Sequence, residues 1–197
     1  MRLGIFGGSF DPVHNGHLEL ARCCERHATL DEVWFTPTAI QPLKHSGPHA
    51  SNEQRVEMLR LATANEPDWS VCTLETDRGG FSYTVDTLRQ IHTELPDADL
   101  FFLMGADALR DVPQWKEPEE IFSVATPLVV HRAGQSSPDL SALKQMCPAD
   151  HEPQLVDMPN MPESSTEIRR RIAASEPIED LVPIAVAHYI AKHRLYN

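Results

Sequence analysis

Cysteine is scarce in this chain. Only Cys23, Cys24, Cys72 and Cys147 occur among 197 residues. They form no C-x-x-C pair, and a chain of this length can build a core without disulfide staples. A disulfide scaffold and a cysteine zinc site are therefore excluded as organising principles, and four reduced, structural thiols in the cytoplasm are expected. Positive charge is short as well. Seventeen Lys and Arg face 29 Asp and Glu, for a net charge of −12, which argues against a protein that coats nucleic acid or an anionic membrane. No apolar run is long enough to span a bilayer. No secretory leader precedes the first strand signal, and neither an internal repeat nor a long low-complexity segment is present.

What is there fits one α/β domain over residues 1–197, with 160–197 as a small helical carboxyl-terminal piece. Hydrophobic residues make up 41%, enough for one sizeable core. Strand and helix signals alternate. Leu3–Phe6, Val33–Phe35, Ser70–Leu74, Leu100–Met104, Pro127–Val130 and Gln154–Asp157 read as strands. Helices are expected over Gly16–His27, from Ser51 (in a capping box with Gln54) to about Ala64, and from Ser82 or Tyr83 to near Pro96. Short helices are expected around Trp115, and 134–154 reads as a Ser/Pro-rich surface excursion. Such alternation implies right-handed βαβ units and a mainly parallel, Rossmann-like sheet with flanking helices. Ligands then bind beyond the carboxyl ends of the strands, where strand order switches.

The most informative stretch is Gly7-Gly8-Ser9-Phe10-Asp11-Pro12-Val13-His14-Asn15-Gly16-His17. It reads as a strand end, a glycine turn, and two histidines entering a helix. His14 and His17 are three apart and share one helix face. Gly7 and Gly8 let a ligand approach the backbone, and free N–H groups at a helix start attract anions. Two imidazoles there can hydrogen-bond a phosphoryl group or carry positive charge where negative charge develops. A metal half-site or a solvated surface pair would also place two histidines three apart. Cys or carboxylate partners at metal-ligand spacing are absent, so no dedicated metal ligand is assigned.

Three further segments fall after predicted strands or at helix starts. Ser164-Ser165-Thr166-Glu167-Ile168-Arg169 has capping-box spacing between Ser164 and Glu167. An anion-binding helix start with Arg169 forking onto phosphate is one reading, and an ordinary capped helix with solvated Arg169, Arg170 and Arg171 is the other. In Phe81-Ser82-Tyr83-Thr84-Val85-Asp86-Thr87-Leu88, the N–H groups of Tyr83 and Thr84 could hold a carboxylate, or Ser82 could simply cap a helix. Gly105-Ala106-Asp107, with Trp115 following, sets a carboxylate and a flat indole beyond a predicted strand. Alone, either side chain is more often core or cap.

Together these segments resemble the H-x-G-H nucleotidyltransferases, and the S-Y-T-x-D-T-L and S-S-T-x-I-R stretches resemble nicotinate-nucleotide adenylyltransferases. The resemblance covers nearly the whole chain. It implies adenylyl transfer from ATP to nicotinate mononucleotide, giving deamido-NAD and pyrophosphate, with Mg²⁺ delivered by ATP. It places His14, His17, Lys44 and Arg169 around the triphosphate. Gly7, Gly8, Ser9, Phe10, Tyr83, Thr84, Gly105, Asp107, Trp115, Arg132, Ser165 and Thr166 are placed at the substrates, Trp115 stacking on the pyridine ring. Leu43, Ala133 and Glu163 depart from the family pattern, and Glu163 puts an acid near a phosphate site. Another adenylyl- or cytidylyltransferase, such as a phosphopantetheine adenylyltransferase, and a non-catalytic nucleotide-binding sensor are the rival readings; a homo-oligomer is left open.

Overall fold

The computed structural model describes residues 1–43, 47–134 and 136–197. Six strands form one sheet: β1 (Arg2–Gly8), β2 (Glu32–Pro37), β3 (Trp69–Val71), β4 (Asp99–Gly105), β5 (Ala125–Arg132) and β6 (Gln154–Met158). Every pairing is parallel, and the order is β3-β2-β1-β4-β5-β6. The chain leaves β1 in one direction to build β2 and β3, then returns to the other side of β1 for β4. That reversal opens a crevice at the carboxyl ends of β1 and β4.

Both sheet faces are covered, so the strands are apolar on alternate residues in both directions. Phe6, Val33, Phe35, Phe101, Leu103 and Val130 pack on one side, with residues of α1 (Asn15–Ala28), α2 (Asn52–Thr63), α7 (Ser165–Ala173) and α8 (Ile184–His193). Leu3, Ile5, Leu100, Phe102, Met104 and Val129 pack on the other, with α4 (Thr84–Glu94) and α5 (Pro118–Val124). The carboxyl-terminal helices thus belong to the main core, through Ile168, Val186, Ile190 and Leu195.

Several local expectations need correcting. Gly7 and Gly8 lie inside β1 rather than in the turn after it. The third strand stops at Val71, and Leu74 opens a short helix, α3 (Leu74–Arg78). The segment after Gly134 contains its own helix, α6 (Ser141–Met146). The box at Ser51 forms as expected: Ser51 Oγ accepts from Gln54 N, and the Gln54 side chain accepts from Ser51 N. At Ser164 only half of one forms. Ser164 Oγ accepts from Glu167 N at 3.2 Å, but Arg170 draws the Glu167 carboxylate away at 2.8 Å. A charge-assisted pair outcompetes a return bond to a backbone N–H.

Candidate active site at the strand switch

Two cavities adjoin at the crevice and share Gln41. The first, of about 210 Å³, is walled by β1, β4 and α4, and it brings together Gly7, Gly8, Tyr83, Thr84, Gly105 and Trp115. Its remaining walls are mostly apolar, including Ile5, Leu88, Phe102 and Ile121. The second, of about 220 Å³, gathers Ser9, Ser165, Thr166 and Arg169 with Asp11 and His49. Chain segments more than 150 residues apart therefore close one site. Asp107 is exposed on a 3₁₀ turn and lines neither cavity. Lys44 lies outside the described residues.

The Gly-to-His stretch is fixed from within. Phe10 adopts a left-handed backbone, φ 46°, which turns its ring inward; the side chain is 1% exposed. The Phe10 side chain therefore belongs to the core rather than to a cavity wall. A Cβ on Gly8 would meet that ring at 3.0 Å. A side chain at position 8 would press on that ring, a reason for glycine here other than the ligand approach the sequence suggests. Phe10 in turn stands edge-on to His17, centroids 5.0 Å apart, and His17 stacks on His14 at 3.7 Å.

The two histidines differ in role. His14 is the N-cap residue of α1, and its backbone N–H donates to His17 Nδ1 at 3.3 Å. An accepting Nδ1 places the His17 proton on Nε2, which makes that atom a donor. His14 is buried, and burial, aided by the positive charge of Arg132, pushes its imidazole down to about 4. At neutral pH it is an uncharged hydrogen-bonding group, so of the two roles open to these imidazoles His14 takes the hydrogen-bonding one. Its Nδ1 has no partner among the described residues. Glu163 is buried beside it: a Cβ on Gly16 would meet His14 Nδ1 at 3.1 Å and a Glu163 carboxylate oxygen at 3.7 Å.

The polar cavity is organised by Asp11, which the sequence reading left without a role. Burial alone would raise its carboxyl, but the N–H groups of His49 and Ala50 and the Tyr196 hydroxyl outweigh burial and hold it low. Arg169 donates to the Asp11 carbonyl at 2.6 Å and lies 4.0 Å from its carboxylate. Ser165 Oγ donates to the Pro12 carbonyl at 2.9 Å. Arg55, fully buried, donates to the carbonyls of Ser9 and Thr38 at 2.6 Å each, clamping the loops after β1 and β2. Of the three consecutive arginines, only Arg169 turns to the site; Arg170 and Arg171 make surface ion pairs with Glu167.

The apolar cavity keeps one helix start open. Tyr83 is the N-cap residue of α4, and among the described residues its first turn receives no side-chain capping hydrogen bond. Ser82 does not serve there, because its Oγ accepts from Ala39 N at 2.9 Å. Trp115 stands edge-on to Phe102, centroids 5.8 Å apart, half-buried at the wall. An uncapped helix start beside a flat indole, in an apolar cleft, suits a flat ring that carries an anion.

The comparisons with known proteins agree with this geometry. Residues 5–171 match the cytidylyltransferase-like family model. A protein of Thermus thermophilus named probable nicotinate-nucleotide adenylyltransferase is 45% identical, with both chains covered in full. One of the same name from Mycolicibacterium vanbaalenii is 43% identical over the whole of this chain and 92% of that relative. The chain belongs to the nicotinate-nucleotide adenylyltransferase family. In fold it is similar to the Plasmodium falciparum nicotinic acid mononucleotide adenylyltransferase complexed with NaAD. That match has a TM-score of 0.81 at 23% identity, covering 99% of this chain and 97% of that one. Among the described residues no helix is long and apolar enough to cross a membrane, and no three His, Cys, Asp or Glu side chains group as a metal site.

Proposed function

We infer that this chain transfers the adenylyl group of ATP to nicotinate mononucleotide, yielding deamido-NAD and pyrophosphate, in cytoplasmic NAD synthesis. A phosphate oxygen of the mononucleotide attacks the α-phosphorus in line. The bond from that phosphorus to the bridging oxygen of the β-phosphate breaks, and pyrophosphate leaves as a magnesium salt, the metal entering with ATP as part of the substrate. No protein nucleophile is needed; alignment and charge neutralisation carry the reaction. His17, through Nε2–H, and Arg169 supply donors to the phosphates, with Ser165 and Thr166 at the first turn of α7. Arg132, whose charge adds to the burial that keeps His14 neutral, brings positive charge near the same histidines.

The observation that carries the acceptor assignment is the open first turn of α4 inside an apolar cleft with Trp115. It offers N–H donors to a ring carboxylate, and the amide analogue would set an NH₂ against them. Donors left unpaired at a recognition site give discrimination of several kcal/mol. Pyrophosphate release should be measured with ATP and each of nicotinate mononucleotide, nicotinamide mononucleotide and phosphopantetheine. We expect kcat/KM for the acid to exceed that for the amide by roughly a hundredfold or more. Equal values for the two would remove this assignment, and turnover of phosphopantetheine would replace it. Silence with every acceptor would make the chain a nucleotide sensor.

A further inference from the structure

Glu75 belongs to no step described so far, yet it lines the apolar cleft while only 4% exposed. It stands on α3, the helix that replaces the end of the expected third strand. One carboxylate oxygen accepts from the Thr87 hydroxyl at 2.7 Å, and Arg78 donates to that same hydroxyl oxygen at 3.1 Å. The other oxygen is buried with no partner among the described residues. Thr87 is in the first turn of α4, the turn left open to the cleft. A buried acid with one oxygen left without a hydrogen-bond partner is costly. Through Thr87 it is tied to the first turn of the helix whose start would attract an anion.

We propose that Glu75 sets the preference between an acid and an amide on the acceptor ring, through its charge near the first turn of α4 and not by touching the ring. This rests on the acceptor assignment above. A negative charge at Glu75 would oppose a ring carboxylate drawn to the positive end of α4 and would leave a neutral amide nearly indifferent. An uncharged Glu75 leaves the pull of the helix intact. Burial pushes its carboxyl above the usual carboxylate range; the Thr87 and Ser82 hydroxyls and the charges of Arg78 and Arg55 pull the other way without prevailing. Cys72, in the segment before α3, faces it as a thiol that burial also raises. Across the cleft, Lys116 is occupied by Asp86 at 3.0 Å. As pH rises, Glu75 gains charge and the acid loses its advantage.

The test is the ratio of kcat/KM for nicotinate over nicotinamide mononucleotide as a function of pH. Both nucleotides carry the same phosphate and meet the same ATP, so their shared titrations cancel. We expect the ratio to fall about tenfold in the natural protein as pH rises through and beyond the usual carboxylate range, and to stay flat in Glu75→Gln. Thr87→Val removes a hydroxyl that favours the charged form, and should move the fall to higher pH. A flat ratio in the natural protein, the same slope in Glu75→Gln, or no shift in Thr87→Val would each overturn the proposal. If Glu75→Gln does not fold, the natural protein and Thr87→Val still decide. A protein that uses the acid nucleotide with a pH-independent ratio defeats only this inference; one that uses neither nucleotide defeats the acceptor assignment itself.

Discussion

The two cavities that meet at Gln41 are built by opposite means. The polar one is wired: Asp11 binds Tyr196 from 185 residues away, and Arg169 reaches back 158 residues to the Asp11 carbonyl. Its shape depends on ion pairs and hydrogen bonds among segments that meet only in the finished fold. The apolar one is packed: Ile5, Leu88, Phe102 and Ile121 form its walls as a continuation of the core, with one open helix start and one indole for recognition. Phosphates are alike in every nucleotide, so the wired end can serve catalysis with fixed charge. The ring is what distinguishes one acceptor from another, so the packed end can serve selection. Damage to the first should cost turnover or stability, and damage to the second should cost affinity for one substrate.

The largest expected effect tests that division at the reacting phosphate. His17→Ala removes the Nε2 donor fixed by the bond from His14 N to Nδ1. Losing one such donor typically costs about a hundredfold or more in kcat, with KM changed far less because the contact tightens as charge builds. Steady-state kinetics with both substrates read this directly. Near-normal turnover in a folded variant would take His17 out of the chemistry.

Next in size is a test of the wiring. Tyr196→Phe deletes the 2.8 Å hydrogen bond to the buried, ionised Asp11. A hydrogen bond to a charged group contributes about 1.5–3 kcal/mol, so unfolding by denaturant should show a loss of about 2 kcal/mol. The ratio of acid to amide turnover should stay where it was, since the apolar cavity is untouched. A changed ratio would mean that the two cavities are coupled and would break the division.

How much of this could be seen in the sequence follows the same line. Features carried by neighbouring residues were legible: the strand–turn–helix around His14 and His17, the capping box of Ser51 and Gln54, and the alternation that makes a parallel sheet. The first turns of α4 and α7 were legible for the same reason. Asp11, Arg55, His49 and Tyr196 were not, because their partners lie 38 to 185 residues away for Asp11 and 17 to 46 for the Arg55 bonds to the two loop carbonyls. No spacing rule predicts such pairs. Nothing local announces the left-handed backbone that goes with the Phe10 ring packing into the core. Glu75 falls just past Ser70–Leu74, which reads as a strand to its last residue, so nothing local shows that Leu74 already opens α3 and carries Glu75 into the core. Glu163 reads as an acid near a phosphate site, and the fold buries it close to Gly16 and the His14 ring.

The smallest effect, and the one that sharpens the comparison most, concerns Trp115. The indole is half-buried at the cleft wall, edge-on to Phe102, and the acceptor offers a flat, electron-poor, cationic pyridinium ring. Stacking and cation–π attraction in a partly desolvated pocket contribute on the order of 1–2 kcal/mol. The contact lies far from the phosphorus under substitution, so it acts equally on ground state and transition state. Trp115→Ala should therefore raise KM for the nicotinate nucleotide about tenfold, leave KM for ATP nearly unchanged, and alter kcat little. Trp115 also packs on the core cluster that includes Phe102, and a purely structural tryptophan makes a different forecast. Its loss would lower the melting temperature and weaken both substrates together, because the crevice between β1 and β4 would loosen as a whole. Both KM values and the melting temperature of this one variant separate the two outcomes. An equal loss for ATP and acceptor would assign Trp115 to the scaffold, and selection would then rest on the first turn of α4 and the charge near it.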